Sequence, residues 1–305
     1  MASIEQPILT IAIPTYNRVE KIQSQIRLLL PQLDQRVHLI IYDNFSTIPV
    51  KSYFSNEELA KFTLVRNRVN VGGDANIARC FENCTTKWLW TLSDDDLVKE
   101  NAIEIVLKEI NKDTEAVFLN FCIGVSFESK GFFSLIREFK KASVFSSSFT
   151  MSSCVYNMAK LQESLQDYYN HLSSMMGTII LVLKYVQKND KATCRFIDST
   201  PINKFNKEVG WNYFTYIYRT RLFLEAFKFE NKNYYNKSLF LGCHVTNYLL
   251  LVLNREESKV SYRKRLKLFL IVVRNQGLIN ALLYCPFILL SSFIKVVLNI
   301  KSLRI

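Results

Sequence analysis

The sequence predicts an α/β fold in which a mostly parallel sheet is flanked by helices. Three observations carry that expectation. Short, largely apolar runs at 8–13, 37–42, 62–65, 87–92 and 116–121 recur through the first 120 residues. Between most of them lie segments with apolar side chains at helical spacing, and several runs end in polar clusters. Strands buried on both faces read as continuous rather than alternating apolar runs, and parallel neighbours need crossover connections.

The elements follow in order. Residues 8–13 are rich in β-branched side chains and stop at Pro14, which reads as a buried strand. A helix is expected next, with Asn17 as N-cap and Glu20 three positions on as a capping box. Its inward face is Ile22, Ile26, Leu29, Leu30 and Leu33. The second run, 37–42, stops at Asp43-Asn44, and 62–65 is the third. After Gly72-Gly73, residues 74–83 read as helix, with Ile77 and Phe81 four apart. The strand at 87–92 ends in Ser93-Asp94-Asp95-Asp96, and a helix over 100–110 leads to the strand at 116–121. Beyond residue 125 the pattern weakens: 154–165 and 172–186 read as helical, and 193–197 as a strand.

Composition bounds the rest. Of 305 residues 49% are hydrophobic and 13% aromatic, with eight glycines and six prolines, which excludes disordered and collagen-like chains. Seven scattered cysteines without a CxxC pair, and only three histidines, favour neither a disulfide framework nor a zinc site. The N-terminal residues lack a basic, cleavable leader pattern, so a reducing, cytoplasmic location is expected. The formal charge of +12 is uneven: residues 255–305 hold ten Lys/Arg against two acids, a net +8. The same stretch contains twenty consecutive uncharged residues between Arg274 and Lys295. That pairing suits an anionic membrane surface better than a nucleic-acid groove, and no nucleic-acid partner is expected. The basic flanks favour a helix or helix pair lying at the interface, with a buried helical subdomain or a bilayer-spanning helix as the alternatives.

In open α/β sheets, ligands sit beyond the carboxyl ends of the strands near a switch in strand order. That rule gathers residues 14–18, Asp43-Asn44 and residues 93–96 into one crevice. Three adjacent carboxylates repel one another, and a bound Mg²⁺ or Mn²⁺ would relieve the repulsion. The alternative is a solvated acidic turn at a helix start. Asp43 is either a turn residue or an acceptor for a base or ribose. Thr15, Tyr16 and Asn17 offer hydroxyl, aromatic and amide groups. Gly72-Gly73 allows close approach to a ligand or a tight turn.

The segments Leu9-Thr10-Ile11-Ala12-Ile13-Pro14-Thr15-Tyr16-Asn17-Arg18, Tyr42-Asp43-Asn44, Asn70-Val71-Gly72-Gly73-Asp74-Ala75-Asn76 and Ser93-Asp94-Asp95-Asp96 resemble, in that order, the signatures of glycosyltransferase family 2. The Asn70 to Asn76 stretch resembles the bacterial abequosyltransferase-like group of O-antigen and capsule enzymes. The resemblance implies a GT-A fold over residues 1–254, with a nucleotide-sugar half at 1–125 and an acceptor half at 126–254. It implies a nucleotide-diphospho-sugar donor contacted by Thr15, Tyr16, Asn17, Asp43, Asp74, Asn76 and Asp94. It also implies a divalent cation, Mg²⁺ or Mn²⁺, on Asp95 and Asp96. Ser93 stands where the family's commoner motif has its first acid, which shifts the metal contacts to those two.

Transfer with inversion needs a base for the acceptor hydroxyl. The family's Glu-Asp pair is missing at the expected distance, and His171 lies in the equivalent place, as a base or as a helix cap. Asp198 and Glu208 are the next candidates. Lys207, Trp211, Tyr213 and Tyr216 offer either an acceptor-stacking surface or a half-buried aromatic cluster. A tail that meets the membrane fits a lipid-linked oligosaccharide acceptor at the cytoplasmic face of a bacterial inner membrane. The competing classes are a non-catalytic membrane-surface or nucleic-acid-binding protein and a metal-dependent nucleotidyltransferase.

Overall fold

A computed structural model describes residues 6–112, 115–139, 141–205 and 226–227. Glu208, Lys207, Trp211, Tyr213, Tyr216 and the basic tail at 255–305 lie outside the described residues. The chain forms two compact units, Met1–Leu135 with Ser146–Val209, and Ile136–Phe145 with Gly210–Ile305. In the second unit the described residues place the Phe139 and Phe145 rings edge to face at 5.7 Å.

The chain runs β1 (Leu9–Thr15), α1 (Val19–Leu29), β2 (Val37–Asp43), α2 (Asn56–Leu59), β3 (Thr63–Arg66), α3 (Gly73–Glu82), β4 (Trp88–Thr91), β5 (Leu97–Val98) and α4 (Ala102–Lys112). It continues through β6 (Phe118–Phe121), β7 (Phe127–Lys130), α5 (Phe132–Glu138), α6 (Ala142–Ser147), β8 (Cys154–Asn157), α7 (Met158–Leu161), α8 (Leu165–Asn170), α9 (Gly177–Lys188), β9 (Thr193–Ile197) and β10 (Ile202–Lys204). Among the described residues, eight strands make one sheet in the order β3-β2-β1-β4-β8-β6-β9-β7, and β5 pairs with β10 in a small second sheet. Strands β3, β2, β1 and β4 run parallel. The chain builds outward from β1 to β2 and β3, then returns to place β4 on the other side of β1. This reversal creates the switch point where such sheets bind ligands.

Alternation along β1 explains how both faces are filled. Leu9, Ile11 and Ile13 belong to the same core cluster as Ile22, Ile26 and Leu29 of α1 and Ile103, Val106, Leu107 and Ile110 of α4. Full burial of each such side chain contributes about 1.5–3 kcal/mol. On the other face Thr10 shares a 2.8 Å hydrogen bond with Thr86. There Phe81 of α3 meets Tyr156 and Tyr168 edge to face at 4.8 and 5.2 Å.

The sheet is mostly parallel, as expected, with β8 inserted antiparallel between β4 and β6 and β7 antiparallel to β9. Three expectations need correction. Residues 154–157, read as the start of a helix, form β8, where all four residues are buried between two partner strands. The helix read from 172 begins at Gly177, after a short 3₁₀ turn at Leu172–Ser174 and a left-handed Met175. The N-cap of α1 is Arg18, and Asn17 sits at φ 52°, so the expected capping box does not form.

Candidate active site

The β-sheet register assembles the crevice. Thr15 is opposite Asp43 across β1 and β2, and the backbone NH of Leu92 donates to Ala12 O at 3.0 Å where β4 ends beside β1. The three strand-end clusters therefore share one rim. Thr15 Oγ1 donates to Asp94 Oδ2 at 2.7 Å. Arg18 Nη1 donates to Asp94 Oδ1 and to Asp95 Oδ2, each at 2.9 Å. Lys21 Nζ, one turn along α1, lies 3.8 Å from Asp95 Oδ2. Ser93 Oγ donates to Asp95 Oδ1 at 2.5 Å.

Asp94 is only 3% exposed. Burial pushes its carboxyl above the ordinary carboxylate range, the Thr15 hydroxyl and Arg18 pull it back, and the Asp95 charge adds to the rise. Asp96 turns the other way. Its Oδ2 accepts from Ser152 Oγ at 2.7 Å, and its carbonyl accepts from the buried Gln25 amide at 2.7 Å. Ser152 Oγ also accepts the Ser93 NH at 3.0 Å, so one serine pins both ends of the acidic turn. Arg18 Nη1 thus brings one oxygen each of Asp94 and Asp95 to a single point.

Asp43 lies inside the β2 end. Its Oδ1 accepts from the Ser46 NH at 2.8 Å, and its Oδ2 accepts from the Val50 NH at 3.3 Å and from Arg66 Nη1 at 2.5 Å. Burial pushes its pKa up, but the Ser46, Val50 and Arg66 donors outweigh that and hold it below its ordinary value. Arg66 also donates to Ser46 O at 2.8 Å and lies 4.8 Å over the Phe45 ring. Phe45 has φ 64° and is 47% exposed, and Tyr16 at the neighbouring strand end is 43% exposed. A bulky residue in the left-handed region is strained, and such strain concentrates at functional sites. Asn17 joins the two strand ends: its NH donates to Ser46 Oγ at 3.0 Å, and its Oδ1 accepts the Thr47 NH at 2.8 Å.

Asparagines fix the loop before α3. Asn67 Nδ2 donates to Asn44 Oδ1 and Asn76 Oδ1, Asn44 Nδ2 donates to Asn70 Oδ1, and Asn76 Nδ2 donates to Tyr42 O, all within 2.8–3.0 Å. Asn76 is thus buried scaffolding, while Asp74 lies in the first turn of α3 after Gly72 at φ 85°. His171 ends α8, and its Nδ1 lies 2.8 Å from the Asp167 carbonyl oxygen. A carbonyl can only accept, so Nδ1 carries the proton and Nε2 is the basic nitrogen. Asp198 Oδ1 accepts the Gly124 NH at 2.6 Å.

Arg18 lies within the first strand-end motif, but that motif alone gives it no role, and local sequence pattern does not single out Gln25, Phe45, Arg66 or Ser152. Gln25 leaves only an indirect signal: a polar side chain beside Ile22, Ile26 and Leu29 on the apolar side of α1. Ser152 had none, since its partners are almost sixty residues away.

Among the described residues no group of three or more His, Cys, Asp or Glu side chains is placed to hold a metal ion. The Asp94 and Asp95 oxygens that share Arg18 Nη1 are nonetheless two hard donors aimed at one positively charged point. That set fits Mg²⁺ or Mn²⁺, which take one or two carboxylates from protein when phosphates complete their shell. Among the described residues no helix is long and apolar enough to cross a membrane.

A mostly parallel mixed sheet with an acidic turn at its switch point defines a GT-A-like α/β protein. Residues 10–180 match the model of Glycosyl transferase family 2, and the chain belongs to that family. No curated protein matches it. Similar solved structures include residues 1–349 of S. aureus TarS, at 11% identity and TM-score 0.62, covering 88% of this chain and 81% of that one. The same protein in complex with UDP-GlcNAc gives 11% and 0.60, and with UDP 12% and 0.59, with the same coverage. At this identity the likeness shows the fold.

Proposed function

We propose that the chain transfers a sugar from a nucleotide-diphospho-sugar donor to a lipid-linked oligosaccharide during synthesis of a bacterial O-antigen or capsular polysaccharide. The observation that carries the donor half is the convergence of Thr15, Arg18, Asp94 and Asp95 at the switch point. TarS, of similar fold, has been solved with UDP-GlcNAc and with UDP. The acceptor half is supported by the sequence of 255–305, whose basic and apolar residues suit peripheral attachment to the inner membrane at its cytoplasmic face. The Asn70 to Asn76 motif supports a place in the abequosyltransferase-like group.

In this reading Tyr16 and Phe45 present aromatic faces to the nucleobase, with Asp43 positioning Arg66 beside them. Thr15 orients Asp94 through its hydroxyl, and Gln25 and Ser152 hold the acidic turn rigid, so the carboxylates are set before the donor arrives. A divalent cation on Asp94 and Asp95 would neutralise the departing diphosphate. The acceptor oxygen bonds to the anomeric carbon as the bond from that carbon to the phosphate oxygen breaks. The hydroxyl proton passes to His171 Nε2, and the nucleoside diphosphate leaves.

The test is hydrolysis of a panel of UDP-, GDP-, CDP- and dTDP-sugars with Mn²⁺, Mg²⁺ or chelator. Slow, metal-dependent release of nucleoside diphosphate from one or a few donors is expected. Equal release in chelator removes the metal, and neither release nor binding of any donor removes the donor reading. Once a donor and acceptor are in hand, His171→Ala should bind the donor as tightly as wild type and lose about 10²- to 10⁴-fold in turnover. Normal turnover would take His171 out of the mechanism.

A further inference from the structure

We propose that Arg18 holds the cation position of the donor site in the free protein and yields it when donor and divalent ion arrive together. This rests on the donor-site reading above. One nitrogen, Arg18 Nη1, lies 2.9 Å from both Asp94 Oδ1 and Asp95 Oδ2. A metal ion engaging those same two oxygens cannot coexist with that nitrogen, for reasons of space and like charge. The guanidinium therefore must leave before the ion binds.

The Arg18 side chain is 42% exposed, so it can swing out into solvent, and the arriving divalent ion replaces its charge beside the buried Asp94. The carboxylates, by contrast, cannot follow it: Thr15 holds Asp94, and Ser93 holds Asp95. Two fixed oxygens and one movable cation make a seat whose occupant can be exchanged. A freed guanidinium has the planar fork that binds phosphate oxygens in pairs. Beside a diphosphate it regains the bonds it gave up.

The consequence is coupling. Metal alone must evict Arg18 without compensation, and a diphosphate alone meets two carboxylates and a guanidinium already engaged. Together, each removes the obstacle to the other, so the donor and the ion bind cooperatively. Arg18 is in this sense a positioning residue that keeps the crevice neutral until both ligands are present.

The experiment is a Mn²⁺ titration of the full chain without nucleotide, read by the paramagnetic resonance of the free ion. Wild type, Arg18→Gln, Arg18→Lys and Asp95→Asn are compared, and thermal melting checks that each is folded. Arg18→Gln should bind Mn²⁺ at least about fivefold more tightly than wild type, because one of the two Arg18 bonds goes to the buried Asp94. Arg18→Lys, which keeps the charge, should stay closer to wild type, and Asp95→Asn should lose the site. With saturating Mn²⁺, Arg18→Gln should bind UDP or GDP more weakly than wild type. Unchanged or weaker Mn²⁺ binding by Arg18→Gln, with the site still lost in Asp95→Asn, overturns the exchange and leaves the donor site standing. If Asp95→Asn binds Mn²⁺ like wild type, or no protein binds it, the metal assignment falls and the exchange with it. Should Arg18→Gln fail to fold, the Arg18→Lys titration decides: affinity raised fivefold would overturn competition by charge.

Discussion

Replacing Asp95 with Asn leaves the protein folded and lowers sugar transfer at least about 100-fold, a loss of about 2.7 kcal/mol of transition-state stabilisation. The substitution keeps size and shape and removes one negative charge. Asp95 contributes one of the two oxygens that meet at Arg18 Nη1, and its other oxygen accepts from Ser93. In the proposed mechanism Asn would leave a divalent ion a single carboxylate there, and the neutralisation that such an ion would supply to the departing diphosphate would weaken. The fold has little stake in that charge. Arg18 keeps its bond to Asp94, the Asp96 side of the turn is held separately by Ser152 and Gln25, and the lost pair is solvent-screened. Melting should move by no more than about 2–4 °C. Turnover within about tenfold of wild type at saturating Mn²⁺ would show that Asp95 does not support the chemistry.

The first half of the fold could be read from the chain because its elements are regular in composition. Ile22, Ile26 and Leu29 recur at helical spacing, and 8–13 and 37–42 are continuous runs bounded by polar residues, so α1, β1 and β2 were legible. The crevice was legible for a topological reason. Parallel strands joined by helical crossovers put all their carboxyl ends on one rim, and polar strand ends then meet whatever the details. The second half follows different rules. Cys154-Val155-Tyr156-Asn157 runs directly into Met158-Ala159-Lys160-Leu161 without a breaker, so local pattern assigns one helix where tertiary pairing makes a strand and then a turn of helix. Strands β5 and β10 have two and three residues, too short for any period.

Side-chain direction was the part of the site that local sequence could not give. Nothing in Ser93-Asp94-Asp95-Asp96 says which two carboxylates converge. The answer depends on Arg18 and Thr15 on one side and on Ser152 on the other. Asn17 shows the same limit. Its position and type suit an N-cap, yet the Ser46 and Thr47 loop captures its backbone NH and side chain and draws it into the left-handed region.

Arg66→Ala should destabilise the protein by about 3 kcal/mol at neutral pH, more than any other single change considered at this rim. Asp43 is fully buried, and Arg66 supplies its one cationic partner among the hydrogen bonds described, the others being the Ser46 and Val50 NH groups. Without the guanidinium the carboxylate stays inside with its charge uncompensated, and Ser46 O loses a donor as well. The pH dependence separates charge from packing. The folded-state pKa of Asp43 lies below its unfolded value, so its contribution is present above about pH 3.9 and is lost as pH falls through the folded value. In the variant the main cationic support is gone, and that pKa moves upward. The stability difference between wild type and variant, read from urea midpoints, should therefore be largest near pH 7 and shrink toward pH 3. A difference that stays constant over that range would mean that Arg66 acts through its contact with the Phe45 ring and its bond to Ser46 O instead. The strained Phe45 backbone should feel the loss as well, because Arg66 is bound to Asp43, two residues before it, and to Ser46, directly after it, while lying over its ring. Nucleoside affinity should fall together with stability, since the proposed base-stacking face and the buried ion pair share this one arginine.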